Sequence, residues 1–306
     1  MRHFDFLGKA KYFVPLSVLL VTISAIFVIP QVHGLKMGID FTGGTQFTVK
    51  FSEPVDTAAV RKMLGEIDSG GIDLTKSVIQ DVTGKNTKVI TTQLLNVERD
   101  KRVIDRIESA LRSEFPVEDI SRRLIGEQVS RELAEKGWQA ILLALIAILV
   151  YVSWRFRLRY AVGAVVALIH DVTIALGIFA IFGIEINLAT IAAFLTIIGY
   201  SLNDTIVIFD RIRENLKIER KKNIFDIINL SVNQSLSRTL NTSITTFIPV
   251  IILFLFGGSV LRGFSLALLI GVIVGTYSSI YIADMIVYYW SIKAEAHRQR
   301  ARVRAH

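Results

Sequence analysis

One aspartate lies within a stretch of the sequence that otherwise suits the interior of a membrane. Residues 186–209 are predominantly apolar and long enough to cross a bilayer, yet they contain Asp204. A carboxylate at the bilayer centre costs roughly 2.5 to 3.5 kcal/mol or more, and such groups typically serve ion pathways or proton relays. The residue type and its position therefore predict proton coupling at Asp204.

A second ionisable group, Arg238, is predicted to lie in or near the membrane because the helix that contains it must be long enough to span the bilayer. The apolar run 242–256 spans about 22 Å as a helix, whereas the hydrocarbon core is about 30 Å thick, so the helix must begin earlier. Polar helix faces avoid lipid, and we expect the polar faces of two spans to meet each other or a wet crevice. These faces carry Thr196, Tyr200, Asn203 and Asp204 on one span and Arg238, Asn241, Thr242, Thr245 and Thr246 on the next.

Asp204 and Arg238 together suggest a mechanism. An aspartate removed from water favours its neutral form, whereas a nearby guanidinium favours the carboxylate. Movement of Arg238 towards or away from Asp204 would thus alternate proton release with proton uptake, and arginine stays charged throughout. The alternative is a fixed ion pair that only holds two helices together.

A further acid, Asp171, follows His170 in an earlier apolar run. The pair could extend a proton relay, with Tyr200 and Asn203 as further candidate members. It could equally form a hydrogen-bonding contact between helices.

Small and acidic residues in the last apolar run have structural interpretations. Gly271 and Gly275 form a G-x-x-x-G pattern, which predicts close helix packing. Asp284 lies near one end of this run, where we expect it to reach the membrane interface.

The chain has no cysteine, which excludes disulfides, thiolate metal ligands and cysteine nucleophiles. We predict no metal site, no cofactor other than protons as the coupling ion, and no enzymatic activity.

The elements that hold these residues are predicted to be six transmembrane helices. Hydrophobic residues make up 52% of the chain, above the roughly 45 to 50% of soluble domains. The six predicted spans cover residues 12–30, 137–154, 160–182, 186–209, 235–256 and 264–291.

The distribution of charge predicts an orientation. Lysine and arginine concentrate in alternate connections, so the positive-inside rule places the N-terminus (1–11), a loop (210–234) and the basic tail (292–306) in the cytoplasm. Within that loop, residues 217–228 mix basic and apolar side chains, which predicts an amphipathic helix on the membrane surface. Residues 31–136 contain 16 Lys/Arg and 17 Asp/Glu and are predicted to lie outside. The net charge of +8 therefore reflects topology rather than nucleic-acid binding.

The external segment has the periodicity of a small α+β domain. Strand-like and helix-like stretches alternate in the order β-α-β-β-α-β, which is typical of a ferredoxin-like split βαβ fold. The predicted strands are 45–51, 77–82, 87–92 and 117–125, with a hairpin turn at 83–86 and helices that bury Val60, Met63, Leu64 and Ile67, and then Val103, Ile104, Ile107 and Leu111.

Several motifs, in order and at matching spacing, resemble the SecF family of bacterial protein-export membrane proteins, within the SecD/SecF family and the RND superfamily. The resemblance covers residues from about 10 to 290. It is carried by Gly38–Thr45, Ala167–Val172, Gly199–Thr205, Phe209–Asn215, Ser237–Ser243, and residues 256–258 with 263–266.

The resemblance implies six transmembrane helices of an RND-like half with an external ferredoxin-like domain between helices 1 and 2. It also implies a subunit in the bacterial inner membrane, with residues 31–136 periplasmic, that associates with SecD and acts beside the SecYEG channel and the SecA motor. YajC, the translocating preprotein and membrane lipids are further candidate partners. In that family the proton-motive force drives late translocation, and the functional aspartate and arginine fall on Asp204 and Arg238.

Two other functions stay open from the sequence. An RND-type half-exporter of lipids or small molecules would share the architecture. A purely structural scaffold of the translocon would use its buried charges only as pairs.

Overall fold

The computed structural model describes residues 4–82, 85–92 and 97–304, and it consists mainly of helices. The helices are α1 (Phe6–Val28), α2 (Ile39–Thr42), α3 (Thr57–Glu66), α4 (Val97–Glu114), α5 (Glu127–Arg155), α6 (Leu158–Phe182), α7 (Leu188–Ile218), α8 (Ile224–Phe256), α9 (Gly258–Ser278) and α10 (Asp284–Arg304). A π-helical turn, Ser279–Ala283, joins α9 to α10. The strands are β1 (Lys36–Met37), β2 (Gly44–Phe51), β3 (Val78–Asp81), β4 (Thr87–Thr92), β5 (Val117–Ile125) and β6 (Glu185–Ile186).

The chain divides into two compact units. Residues up to Lys36, together with those from Gln139 onwards, form a helical unit, and Met37–Trp138 form an α+β unit. Six helical segments are long and apolar enough to cross a membrane, which confirms the predicted number of spans. They are α1, α5, α6, α7, α8 and the segment Leu261–His297, which includes the π turn.

The α+β unit has the predicted order of elements. Four antiparallel strands form a sheet in the order β3-β4-β2-β5, so the first strand of the motif lies between the third and the fourth. The predicted turn between β3 and β4 falls partly on residues 83 and 84, outside the described residues.

The core of this unit follows from the periodicities of its strands and helices. Alternate residues of β2, including Phe47 and Val49, are fully buried, as the period of two requires. Helices α3 and α4 contribute Val60, Leu64 and Ile107 to the same cluster. Among the described residues no group of three or more His, Asp or Glu side chains is placed to hold a metal ion.

The two longest helices of the helical unit, α7 and α8, carry the candidate site. Helix α7 begins at Leu188 because the Asn187 side chain accepts a hydrogen bond from the Thr190 amide at 2.9 Å. Asn223 caps α8 in the same way through the Asp226 amide at 2.8 Å. With 31 and 33 residues, the helices are about 46 and 50 Å long, well beyond the hydrocarbon thickness.

The connection between α7 and α8 is shorter than predicted. Residues 210–234 were expected to form a loop with an amphipathic surface helix at 217–228, but α7 continues to Ile218 and α8 starts at Ile224. Ile227 and Ile228, at the end of the predicted surface helix, are buried within the helical unit, so they cannot lie on the membrane surface. Polar contacts support the packing, since Asn215 donates to Ser231 and Gln234 at 2.8 Å each.

Candidate functional site

Asp204 is a buried residue on α7, facing α8. Its side chain belongs to a residue that is only 2% exposed. One carboxyl oxygen, Oδ1, accepts a hydrogen bond from Thr242 Oγ1 at 3.3 Å. The other oxygen, Oδ2, is buried and has no hydrogen-bond partner among the residues that the structure describes. The carboxyl group therefore keeps one oxygen free to carry a proton.

Arg238 lies on α8, one turn before Thr242. Helix α8 begins 14 residues before Arg238, so this residue lies within the helix, as the length argument requires. The Arg238 side chain is exposed in the isolated chain. Its positive charge lies close enough to attract the Asp204 carboxylate. Within the described part of the chain no ion pair at 4.0 Å or less joins the two residues. The alternative of a fixed ion pair between Asp204 and Arg238 therefore has no direct contact to support it in this structure.

The polar faces that the sequence predicts on α7 and α8 are in contact only on the side that points into the helical unit. Thr242 donates a hydrogen bond to Asp204, and the side chains of Ser243 and Asn203 lie near the carboxyl. The outer part of both faces, which includes Asn203 and Arg238, is exposed on this chain. An exposed polar face at membrane depth requires a protein partner or water, because lipid does not solvate it.

Asp171 forms the centre of a second polar cluster. Its Oδ1 lies 2.9 Å from His170 Nδ1, and its Oδ2 accepts hydrogen bonds from Ser201 Oγ at 2.6 Å and Ser278 Oγ at 2.9 Å. Asp171 is fully buried, and the bonds join α6, α7 and α9. The cluster has the geometry of a cross-link between helices.

The predicted relay from Asp171 to Asp204 stays a prediction. No hydrogen bond among the described residues connects the two clusters, although Ser201 precedes Asp204 by one turn on α7. Tyr200 has a buried hydroxyl without a described hydrogen-bond partner, whereas Asn203 is exposed.

Gly271 and Gly275 lie on α9 where it packs against α7. A Cβ atom at Gly271 would collide with the Ile197 side chain. A Cβ atom at Gly275 would lie 2.9 Å from the Cβ of Ser201 and 3.5 Å from Asp171 Oδ2. The absence of side chains at both positions lets α9 approach α7 closely enough for Ser278 to reach Asp171.

The expectation for Asp284 is wrong. It was expected to reach the membrane interface, but it is 0% exposed, and neither carboxyl oxygen has a hydrogen-bond partner among the described residues. The reason is the position of the last span, which continues well past this residue, so that Asp284 directly follows the π turn in the interior of the bundle.

The sequence placed Thr242 on the polar face of α8 but did not predict which hydroxyl groups bond to the buried aspartates. Ser201, Ser278 and Thr242 supply hydrogen bonds to the buried aspartates. Their signal in the sequence is weak, because a hydroxyl in an apolar helix can bond to the carbonyl of its own preceding turn. Thr242 does so as well, towards Arg238 O at 3.1 Å.

Two family models match the chain. The model described as "Protein export membrane protein SecD/SecF, C-terminal" matches residues 106–293, and the model described as "SecD/SecF GG Motif" matches residues 32–55. The first covers all of α5 to α9, and hence Asp204 and Arg238.

Curated relatives match over nearly the whole chain. A protein translocase subunit SecF from Desulfurispirillum indicum is 42% identical over 295 residues, which cover 94% of this chain and 92% of the relative. The protein of the same name from Calditerrivibrio nitroreducens is 42% identical over 292 residues, with coverages of 94% and 93%.

Solved structures share the fold. The crystal structure of SecDF from Thermus thermophilus, described as a translocon-associated membrane protein, has a TM-score of 0.85 at 37% identity. A SecDF structure in a super-membrane-facing form has a TM-score of 0.70 at 36% identity. This chain is covered to 95% and 98%, but it spans only 39% and 40% of those longer chains.

Proposed function

Because the chain belongs to the SecD/SecF family of protein-export membrane proteins, as a SecF-type member, we propose that it couples the proton-motive force to late protein translocation. In this proposal Asp204 takes up and releases the proton, and Arg238 sets when it does so. The observation that carries the proposal is the buried Asp204 carboxyl, which has one weak hydrogen bond and one unpaired oxygen.

The coupling follows from the competition between desolvation and charge. With Arg238 distant, a buried carboxyl is more stable as the neutral acid, and it binds a proton. When the guanidinium approaches, the carboxylate is stabilised and the proton leaves. One charge moved through 100 mV supplies about 2.3 kcal/mol, which is enough to shift a two-state equilibrium by more than tenfold.

The partner is proposed to be SecD, in the bacterial inner membrane beside the translocon. The solved relatives are named SecDF, and this chain spans about two fifths of those longer chains, which leaves room for a SecD-type partner. The exposed polar face around Arg238 and Asn241 requires a protein partner or water, and a SecD helix would supply the partner. SecYEG, SecA and the preprotein are assigned on family grounds, as is a periplasmic location for the α+β unit.

A purely structural role is the second candidate, and one observation favours it. In the Asp171 cluster the carboxyl is bonded to side chains of three helices, a geometry that suits a fixed cross-link. Asp204 lacks that saturation, which is why we favour coupling at this residue.

The test is the variant Asp204→Asn, co-expressed with its partner subunit in inverted inner-membrane vesicles. Asparagine keeps the size and the bond from Thr242 but cannot release a proton at neutral pH. We expect late translocation driven by the proton-motive force to fall to the level measured with a protonophore. Asp226→Asn is the matched control, because Asp226 is exposed in the first turn of α8, and it should behave as wild type. Wild-type translocation by a correctly assembled Asp204→Asn variant would refute the proposal.

A further inference from the structure

A basic pocket of about 500 Å³ opens where three helices of the bundle end on the same side. It lies between the end of α5, the start of α6 and the last turns of α7. In the sequence, most of the basic residues of this pocket were interpreted as topology signals in separate connections. The fold brings them together around one cavity. The five basic residues that line it are Arg155, Arg157, Arg159, Arg213 and Lys217.

The positive charge of this pocket is largely uncompensated. Among the described residues, Arg213 is the one lining cation with a carboxylate within 4.0 Å, namely Asp210 at 3.9 Å. Arg159 donates to Ser291 Oγ at 3.0 Å and to the Tyr160 hydroxyl at 3.2 Å, both neutral groups. Its Nε is buried and has no hydrogen-bond partner in the described part of the chain. Like charges gathered in this way favour the binding of an anion.

Aromatic rings hold several of the guanidinium groups in place. The groups of Arg155 and Arg213 lie 5.6 and 5.4 Å from the ring centre of Phe156, and that of Arg159 lies 4.9 Å from the ring centre of Tyr160. Phe156 and Tyr160 are themselves buried, so the rings form a fixed support. The donors are therefore oriented before any ligand arrives, which lowers the entropic cost of binding.

The exposed residues around the pocket lead us to place it at the level of the lipid headgroups. The apolar part of α5 ends at Trp154, which is 86% exposed, and tryptophan is enriched at the membrane–water boundary. Leu158, in the first turn of α6, is 57% exposed next to the cavity. The surroundings thus offer apolar contacts for acyl chains beside basic groups for a phosphate.

We propose that this pocket binds the phosphate headgroup of an anionic phospholipid from the surrounding membrane. Arginine suits a phosphodiester because its planar donors match two oxygens at once, and basic pockets between helix ends are a known form of lipid site. The bound lipid would link the corner between α5 and α6 to the end of α7, the helix that carries Asp204. The proposal does not depend on proton coupling, since it rests on the pocket alone.

The experiment is native mass spectrometry of the full chain in detergent micelles, titrated with phosphatidylglycerol and, separately, with phosphatidylcholine. We expect specific adducts with phosphatidylglycerol. The double variant Arg157→Gln/Arg213→Gln should bind it about twentyfold more weakly. The control Lys221→Gln/Lys222→Gln removes two positive charges from the neighbouring connection, outside the pocket, and should retain wild-type affinity.

Several results would overturn the assignment. Equal losses in the two double variants would mean diffuse attraction to the basic surface, and equal binding of phosphatidylcholine would remove the role of the anionic group. Inorganic phosphate binding as tightly as the lipid would identify a soluble anion as the ligand. If the double variant is misfolded by size-exclusion chromatography, Arg157→Gln alone decides, because Arg157 is exposed; it should weaken binding about fivefold, and an unchanged affinity contradicts the proposal.

Discussion

Of the three buried aspartates that the structure describes in this bundle, Asp171 and Asp204 differ in how their carboxyl oxygens are hydrogen-bonded. Both oxygens of Asp171 have partners within 2.9 Å, from His170, Ser201 and Ser278. Asp204 has a single described bond at 3.3 Å, and its second oxygen has none among the described residues. Burial alone therefore does not distinguish these two acids, whereas hydrogen bonding does.

This difference in hydrogen bonding leads us to expect different roles for Asp171 and Asp204. A fully bonded carboxyl resists any change of charge or position, because each change would leave buried donors unpaired. An acid with an unpaired oxygen can exchange a proton at lower cost to the packing. The comparison predicts that Asp171 contributes to stability and Asp204 to activity.

The largest expected effect on stability comes from Asp171→Ala. The substitution leaves the hydroxyls of Ser201 and Ser278 and the imidazole of His170 without their acceptor, so we expect a loss of about 3 kcal/mol or more. Asp204→Ala should cost clearly less, since only Thr242 loses a partner. Thermal unfolding of the full chain in detergent, followed by tryptophan fluorescence, measures both. Equal destabilisation by the two variants would break the comparison.

A smaller loss is expected from Ser201→Ala. This variant removes one short bond to Asp171 while the bond from Ser278 remains, and it should cost about 1 to 1.5 kcal/mol in the same unfolding measurement. Ser265→Ala is the matched control, because Ser265 is equally buried but donates only to carbonyls of its own helix. If both variants are equally stable, the hydrogen bond from Ser201 to Asp171 makes no measurable contribution to the free energy of unfolding.

The smallest effect on stability is expected from Thr242→Val. Valine keeps the shape of threonine but removes the long bond to Asp204, so stability should change by less than about 1 kcal/mol. Translocation driven by the proton-motive force should nevertheless fall by about twofold to fivefold, as loss of one weak bond permits. Thr245→Val, one turn away and bonded only to its own helix, should have no effect. If Thr242→Val abolished this translocation as completely as Asp204→Asn, the hydrogen bond from Thr242 would be essential, and Thr242 would belong to the site together with Asp204.

Periodicity and composition predicted the architecture because they act along the chain. The six spans follow from hydrophobic length, and the order of strands and helices in the α+β unit follows from the change between periods of two and 3.6. Asp204 was identified for the same reason, since an acid in an apolar run is visible without knowledge of its neighbours. The extension of α8 past Arg238 was predictable from membrane thickness.

Most individual contacts between distant segments were not predictable. The partners of Asp171 come from α7 and α9, 30 and 107 residues further along the chain. The basic pocket likewise joins residues near 155 to residues near 215. The depth of Asp284 and the short connection after α7 depend on which helix faces pack inwards, and hydrophobicity alone leaves that choice open.

The π turn between α9 and α10 sets the rotational phase of the last membrane helix. A π turn accommodates one extra residue, which rotates all later side chains by about 100° relative to an uninterrupted α-helix. Before the turn, Ser278 reaches Asp171; after it, Val287 lies close to Gly163 and Ser291 contacts Arg159. Deletion of one residue from Ser279–Ala283 would leave the first contact in register and turn the other two away from α6. The inserted residue thus allows residues before and after the π turn, which would lie on different sides of an uninterrupted α-helix, to contact the same neighbouring helix, α6.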